Sequence, residues 1–256
     1  MSKSENTTKT LIVLSDTIYY QKNSKLSFDQ RLEFLYPMAE ESINPLPRQL
    51  SMTDKSTTAM IDINNPLRIE YSSEAFTEEM ETDSRDNASV RANNPIPLTA
   101  GIYYFEIKVL SEGKKRRPYI GLTNSTSDLH RAPGWDVDTY GYHGDDGKIF
   151  GEPNYNRGQS YGPTFTTNDV VGCGVNFENQ TCFFTKNGIC LGVAFSNIPM
   201  TDLYPTVGVG SIDESLEVNF GQHPFAYNIS IEQILHAAHS NDLRMKRKLS
   251  TKRTLR

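Results

Sequence analysis

The sequence predicts an all-β fold, an antiparallel β-sandwich, on three observations. Short runs rich in β-branched and aromatic residues recur from about residue 88 onward. Tight turn residues separate them, and Lys186-Asn187-Gly188 between two apolar runs is the strongest hairpin signal. No amphipathic helix intervenes to cover a parallel sheet, so the strands have to cover one another.

The elements follow in chain order. Residues 1–30 are polar around Leu11-Ile12-Val13-Leu14 and read as a flexible leader. Compact structure is expected from Arg31-Leu32-Glu33-Phe34-Leu35-Tyr36-Pro37 onward, which sets one domain over 31–228. Pro45, Pro47 and Pro66 exclude a long helix in the segment that comes next. Residues 70–86 hold seven acids and one Arg, and read as an exposed loop with room for a short helix. Strands are expected at 101–110, where apolar residues alternate from Tyr104, and at 119–122, 170–177, 181–185 and 191–195. Residues 229–241 place Ile231, Ile234, Leu235 and Ala238 at helical spacing, so a short helix precedes a basic tail over 229–256.

Composition narrows the function classes. Among 256 residues, 26 Lys and Arg stand against 31 Asp and Glu, which argues against a body that coats nucleic acid. The average hides a division: residues 242–256 carry net +6 and residues 1–241 carry −11. No stretch approaches the roughly 18 apolar residues of a membrane-spanning helix. The run at Leu11–Leu14 breaks at Ser15-Asp16, which reads against a secretory signal and for a cytoplasmic or nuclear protein. Three cysteines without a CxxC pair suggest neither a disulfide framework nor zinc, and Cys173, Cys182 and Cys190 read as buried strand residues.

Catalytic chemistry is not legible. His143-Gly144-Asp145-Asp146 is the most enzyme-like cluster, a His beside two carboxylates. It also reads as a turn, in which Asp organises amides and Gly147 takes positive φ, and this second reading is preferred, since no second His or Cys stands at ligand spacing. No phosphate-binding glycine motif occurs, and no cofactor or metal is expected.

One ordered series of motifs carries more. It comprises Arg131-Ala132-Pro133-Gly134-Trp135-Asp136, Tyr140-Gly141-Tyr142-His143-Gly144-Asp145-Asp146-Gly147, residues 161–165 (YGPTF), 181–195 (TCFFTKNGICLGVAF), 203–208 (LYPTVG) and 219–225 (NFGQHPF). Leu46-Pro47-Arg48 and residues 88–97 (ASVRANNPIP) extend it upstream. The chain thereby resembles the SPRY (B30.2-like) domain, and within it the RanBPM, or Ran-binding protein 9/10, group over roughly residues 31–228.

The resemblance implies a bent, concanavalin-like jelly roll whose loops hold short peptide segments of partner proteins, without catalysis. Larger members carry LisH, CTLH and CRA modules, for which the residues after Phe225 are too few. It also leaves two alternatives: a substrate-recruiting or scaffold subunit of a CTLH/GID-type ubiquitin ligase, or a secreted host-directed effector of a parasite. The recognition loops, matched by motif, are 82–94, 123–126, 140–151 and 208–213. They offer Arg85, Arg91, Asn93 and Thr123 as polar groups and Tyr140, Tyr142 and Phe150 as aromatic platforms, while Gly210 and Ser211 allow close backbone approach. Tyr140, Tyr142 and Trp135 read equally as core, and Arg91 as a partner of an acid. Two basic features stand apart: the loop Lys114-Lys115-Arg116-Arg117, and a tail in which Lys246, Arg247, Lys248, Lys252 and Arg253 resemble a nuclear-import signal.

Overall fold

The computed structural model describes residues 26–37, 39, 43–72, 87–152 and 157–229. The 70–86 loop from residue 73, the 229–241 helix beyond Ile229 and the basic tail lie outside the described residues. The first element among the described residues is α1 (Phe28–Leu35), which starts ahead of the expected onset at Arg31. Its origin is a capping box. Ser27 Oγ accepts from the Gln30 amide at 3.2 Å, and Gln30 Oε1 accepts from the Ser27 amide at 2.8 Å. Leu32 and Leu35 on its inner side are buried.

Fourteen strands follow among the described residues. They are β1 (Leu50–Lys55), β2 (Ala59–Asp62), β3 (Asn65–Tyr71), β4 (Ala88–Ala92), β5 (Ile102–Glu112), β6 (Tyr119–Thr123) and β7 (Tyr140–His143). The second half holds β8 (Lys148–Phe150), β9 (Gln159–Ser160), β10 (Val170–Asn176), β11 (Thr181–Lys186), β12 (Ile189–Ser196), β13 (Tyr204–Val209) and β14 (Glu214–Asn219). Every expected strand is present. β1 to β3 were not expected, because Pro45, Pro47 and Pro66 mask them; Pro66 sits near the start of β3, where its missing N–H is tolerated.

The strands form two antiparallel sheets of seven. The first runs β1-β4-β13-β6-β7-β8-β9 and the second β12-β11-β10-β5-β14-β3-β2. The β11–β12 hairpin turns at Asn187 (φ 49°) and Gly188 (φ 79°), the two positive φ values that a two-residue hairpin with the favoured twist demands.

The core lies between the sheets. Val90, Ile120, Tyr142 and Val207 from the first sheet face Val171, Cys173, Val175 and Phe184 from the second, all closed to solvent. Tyr142 and Phe184 join the layers directly, their ring centroids 5.3 Å apart. Each such aromatic contributes about 2–3 kcal/mol by burial. The outer face of the second sheet is covered in part by residues 225–227. Phe225 and Tyr227 pack on Tyr104, and buried Glu106 accepts from the amides of Ala226 and Tyr227, both at 3.0 Å. Burial raises the Glu106 pKa, and those bonds oppose the shift.

Cys173 and Cys182 are buried as expected, but Cys190 is exposed. The difference follows from topology, since β12 lies at a sheet edge and has one neighbour among the described residues.

Candidate functional site

The strand register fixes which loops meet. Ala88, Gly208, Tyr119 and His143 lie at one end of the first sheet; Arg91, Thr206 and Gly121 lie at mid-height; Tyr204, Thr123 and Tyr140 lie toward the other end. Connections 113–118, 144–147 and 210–213 therefore emerge together beside Asn87, at what is called here the near end.

Two buried polar groups lock the near-end loops. Glu214 accepts from the Gly210 amide at 2.6 Å, the Arg117 amide at 2.8 Å and Ser211 Oγ at 2.6 Å. Burial pushes its carboxyl up, and the accepted bonds pull against that shift. Tyr119 Oη donates to Asn87 Oδ1 at 2.7 Å. Gly210 is required beside this pair, because a Cβ there would lie 2.5 Å from the Tyr119 hydroxyl. The result is a set of loops tied to one another from within, with Lys114, Arg116, Asp145, Asp146 and Asp213 exposed on them.

Arg91 occupies a different place. Its guanidinium donates to Asp54 at 2.7 Å, to Thr123 Oγ1 at 3.1 Å and to the Ser127 carbonyl at 2.7 Å, and it lies over the Tyr204 ring. Thr123 in turn bonds Thr206 at 2.7 Å. Arg91 and Thr123 are brought together, yet both are buried and satisfied within the chain. From Thr206 to Gly210 is roughly 13 Å along β13, so this cluster and the near-end loops are separate. Asn93 lies beyond it at the far end, where its Oδ1 accepts the amides of Arg48 and Gln49 at 3.0 and 3.3 Å.

The aromatic candidates are placed inside. Tyr140 and Tyr142 line the core, Tyr140 against Phe195 and Tyr142 against Phe165 and Phe184. Neither presents a ring to solvent. Phe150 is buried on the outer face of the first sheet, under residues 124–139, in a cluster with Trp135, His143 and Tyr119. Trp135 is half-buried and completes the lid of that cluster. Gly210 and Ser211 lie in the near-end connection and are buried, Gly210 against the Tyr119 hydroxyl and the Ser211 side chain on Glu214. Arg85 and the tail cations Lys246, Arg247, Lys248, Lys252 and Arg253 lie outside the described residues.

The His143 cluster is built for packing. His143 Nε2 lies 2.9 Å from the Pro133 carbonyl, which only accepts, so this nitrogen carries the proton. Burial lowers its pKa to about 4, despite that bond and the Asp146 charge. Asp146 accepts the Lys148 amide at 3.0 Å and pairs with its ammonium at 3.1 Å, as a turn residue does. Among the described residues no three His, Cys, Asp or Glu side chains are grouped to hold a metal. Asn87, Tyr119 and Glu214, which set the near-end loops, were missed in the sequence; a lone Glu three residues after Ser211 gives no signal without the fold.

Comparison with known proteins agrees with this architecture. The SPRY domain family matches residues 102–223. Ran-binding protein 9 of Danio rerio is 46% identical over 219 residues, 86% of this chain and 35% of that protein. Ran-binding protein 9 of Homo sapiens is 48% identical over 200 residues, covering 78% of this chain and 26% of that protein. The Ran-binding proteins 9/10 homolog of Drosophila melanogaster is 46% identical over 213 residues, 83% of this chain and 21% of that protein. The chain thus spans about a third or less of the length of these relatives. A crystal structure of a human SPRY domain superposes with a TM-score of 0.54 at 24% identity, over 64% of this chain and 96% of that one. The SPRY domain of human HERC1 gives 0.51 at 16% identity, over 66% and 96%. These two likenesses establish the fold alone.

Proposed function

We propose, for a chain that carries a SPRY domain of the Ran-binding protein 9/10 group, a role as a non-enzymatic adaptor that holds a short peptide segment of a partner protein. That the domain is a protein-interaction module follows from the family. The peptide as ligand and the near end as its seat are the reading advanced here, with a cytoplasmic or nuclear setting. One observation supports the seat: connections 113–118 and 210–213 are tied to each other through buried Glu214, next to the Tyr119–Asn87 bond. A surface held rigid from within binds without first ordering itself, which is what a short, flexible ligand needs from its receptor. Arg91, Thr123, Tyr140, Tyr142 and Phe150 then act beneath the surface, as supports and not as contacts.

The test uses the full chain against a peptide array, with hits measured by fluorescence polarisation. A Lys114→Glu/Asp145→Lys pair reverses two exposed near-end charges, and Ser125→Lys changes the far end as a control. The near-end pair is expected to weaken binding about tenfold, equivalent to about 1.4 kcal/mol, with the control unchanged. Equal binding by both variants, or loss confined to Ser125→Lys, refutes the near end as the seat.

A further inference from the structure

The four sheet edges are not alike. At one edge of the first sheet β1 carries Asp54 and Lys55, and at the other β9 is only two residues long. At one edge of the second sheet β2 is four residues long and carries Asp62. These are the usual devices by which an edge strand avoids pairing with another chain. β12, at the remaining edge, is eight residues long, and residues 187–201 contain no Asp, Glu, Lys or Arg. Ile189 and Val193 on it are 68% and 61% exposed.

Composition marks β12 as an interior strand, yet it has one strand neighbour among the described residues. The other fully uncharged strands of five residues or more, β6, β10 and β13, all have a strand on each side. The register shift opposite Phe183 bends β12, and a bulge is itself an edge guard, but its polar groups are occupied locally. The Gly192 carbonyl accepts from Tyr161 Oη at 2.5 Å, and the Gly192 amide lies 3.5 Å from Cys190 Sγ. The stretch after it, Phe195 and Ser196 opposite Cys182 and Thr181, keeps regular pairing on its inner side.

We infer that β12 is a dimerisation edge, pairing antiparallel with β12 of a second copy about a two-fold axis. The occupant follows from charge. A two-fold axis sets the strand against itself, so a charge near the axis would meet its own copy, and β12 has no charge to place there. Two copies of this acidic chain, net −5, repel least where they meet along this run. Ile189 and Val193 of each copy leave water in the process. This surface is separate from the near-end loops and stands independently of the peptide-binding reading.

The experiment is sedimentation velocity on the full chain across a dilution series, paired with hydrogen exchange of the 189–196 amides. The expected result is a dimer that dissociates on dilution, with those amides exchanging more slowly as concentration rises. Ile189→Lys/Val193→Lys, at exposed positions that leave the core intact, is expected to raise the dissociation constant at least about tenfold. Val193→Lys alone does so in part, while neutral Val193→Thr stays within about threefold of the parent. The inference is overturned by a chain that stays monomeric at every concentration. It is equally overturned by lysine variants that dimerise like the parent, or by protection in the monomer of those 189–196 amides that do not bond to β11, which places the chain's own residues on the edge.

Discussion

The Arg91 guanidinium donates to the Asp54 carboxylate at 2.7 Å across an unequal boundary, Arg91 being 3% exposed and Asp54 45%. The cation is committed to the interior, and its counter-charge reaches it from the rim. Removing Asp54 therefore strands a buried charge, whereas removing Arg91 leaves an acid that water can solvate. Asp54→Ala is expected to destabilise by about 2 kcal/mol, well beyond the ~0.5 kcal/mol of an ordinary surface change. Arg91→Met in that background recovers part of the loss. Urea unfolding of the parent and both variants measures this, and an Asp54→Ala midpoint equal to the parent's contradicts it.

Burial of His143 gives stability a pH dependence with a defined sign. The folded-state pKa is about 4 against an ordinary 6.5, so between those values the unfolded chain holds a proton that the folded chain lacks. Stability from this site is present above pH 6.5 and is lost as pH falls toward 4, by about 3 kcal/mol at most. Burial raises Glu106 and Glu214 instead, and their contribution runs the opposite way, declining as pH rises above 4.5. His143→Phe removes only the first slope. Thermal melts from pH 4 to 7 are expected to show a weaker acid loss in His143→Phe than in the parent; parallel curves dismiss the assignment.

Much of the fold was legible because its signals are local. Alternation in β5 and the Asn187-Gly188 turn act over a few residues, and the ordered motifs fix the family. β1 to β3 were hidden because edge and near-edge strands tolerate proline and charge that an interior strand does not. The candidate site was less legible for a different reason. Tyr142 and Phe150 point to opposite faces of one sheet, a difference that rests on strand register and not on residue type. Gly210 was expected to allow close approach, and what approaches it is the Tyr119 hydroxyl of the same chain, a partner that only the fold brings there. Glu214 acquires its role only when loop 113–118 arrives from a hundred residues away.

Tyr142 separates support from contact. Its hydroxyl donates to the Pro163 carbonyl, and its ring is enclosed by Tyr161, Phe165 and Phe184. Tyr142→Phe is expected to remove one hydrogen bond, about 1 kcal/mol, and to leave peptide affinity unchanged. Tyr142→Ala opens the core and destabilises by about 3–5 kcal/mol, so that binding falls together with the folded fraction. Calorimetric titration of Tyr142→Phe decides the matter: an affinity drop in a fully folded variant makes the hydroxyl a ligand contact.

Gly141 and Gly121 share the closest approach on the outer face of the first sheet. A Cβ on Gly141 would lie 2.0 Å from the Pro133 carbonyl oxygen, and a Cβ on its cross-strand neighbour Gly121 would lie 2.0 Å from the Tyr140 carbonyl. Pro133 belongs to the 124–139 connection, whose contacts with Ser89, Arg91 and His143 hold it on the sheet. Backbone cannot yield there as a flexible side chain would, so Gly141→Ala must lift this connection. The expected loss is about 3 kcal/mol, with Trp135 moving into water as its contacts with His143 and Phe150 open. Trp135 is the sole tryptophan, so its fluorescence reports on the connection directly. A red-shifted emission maximum is expected in Gly141→Ala before global unfolding; an unshifted spectrum with parental stability shows that the strand gives way instead.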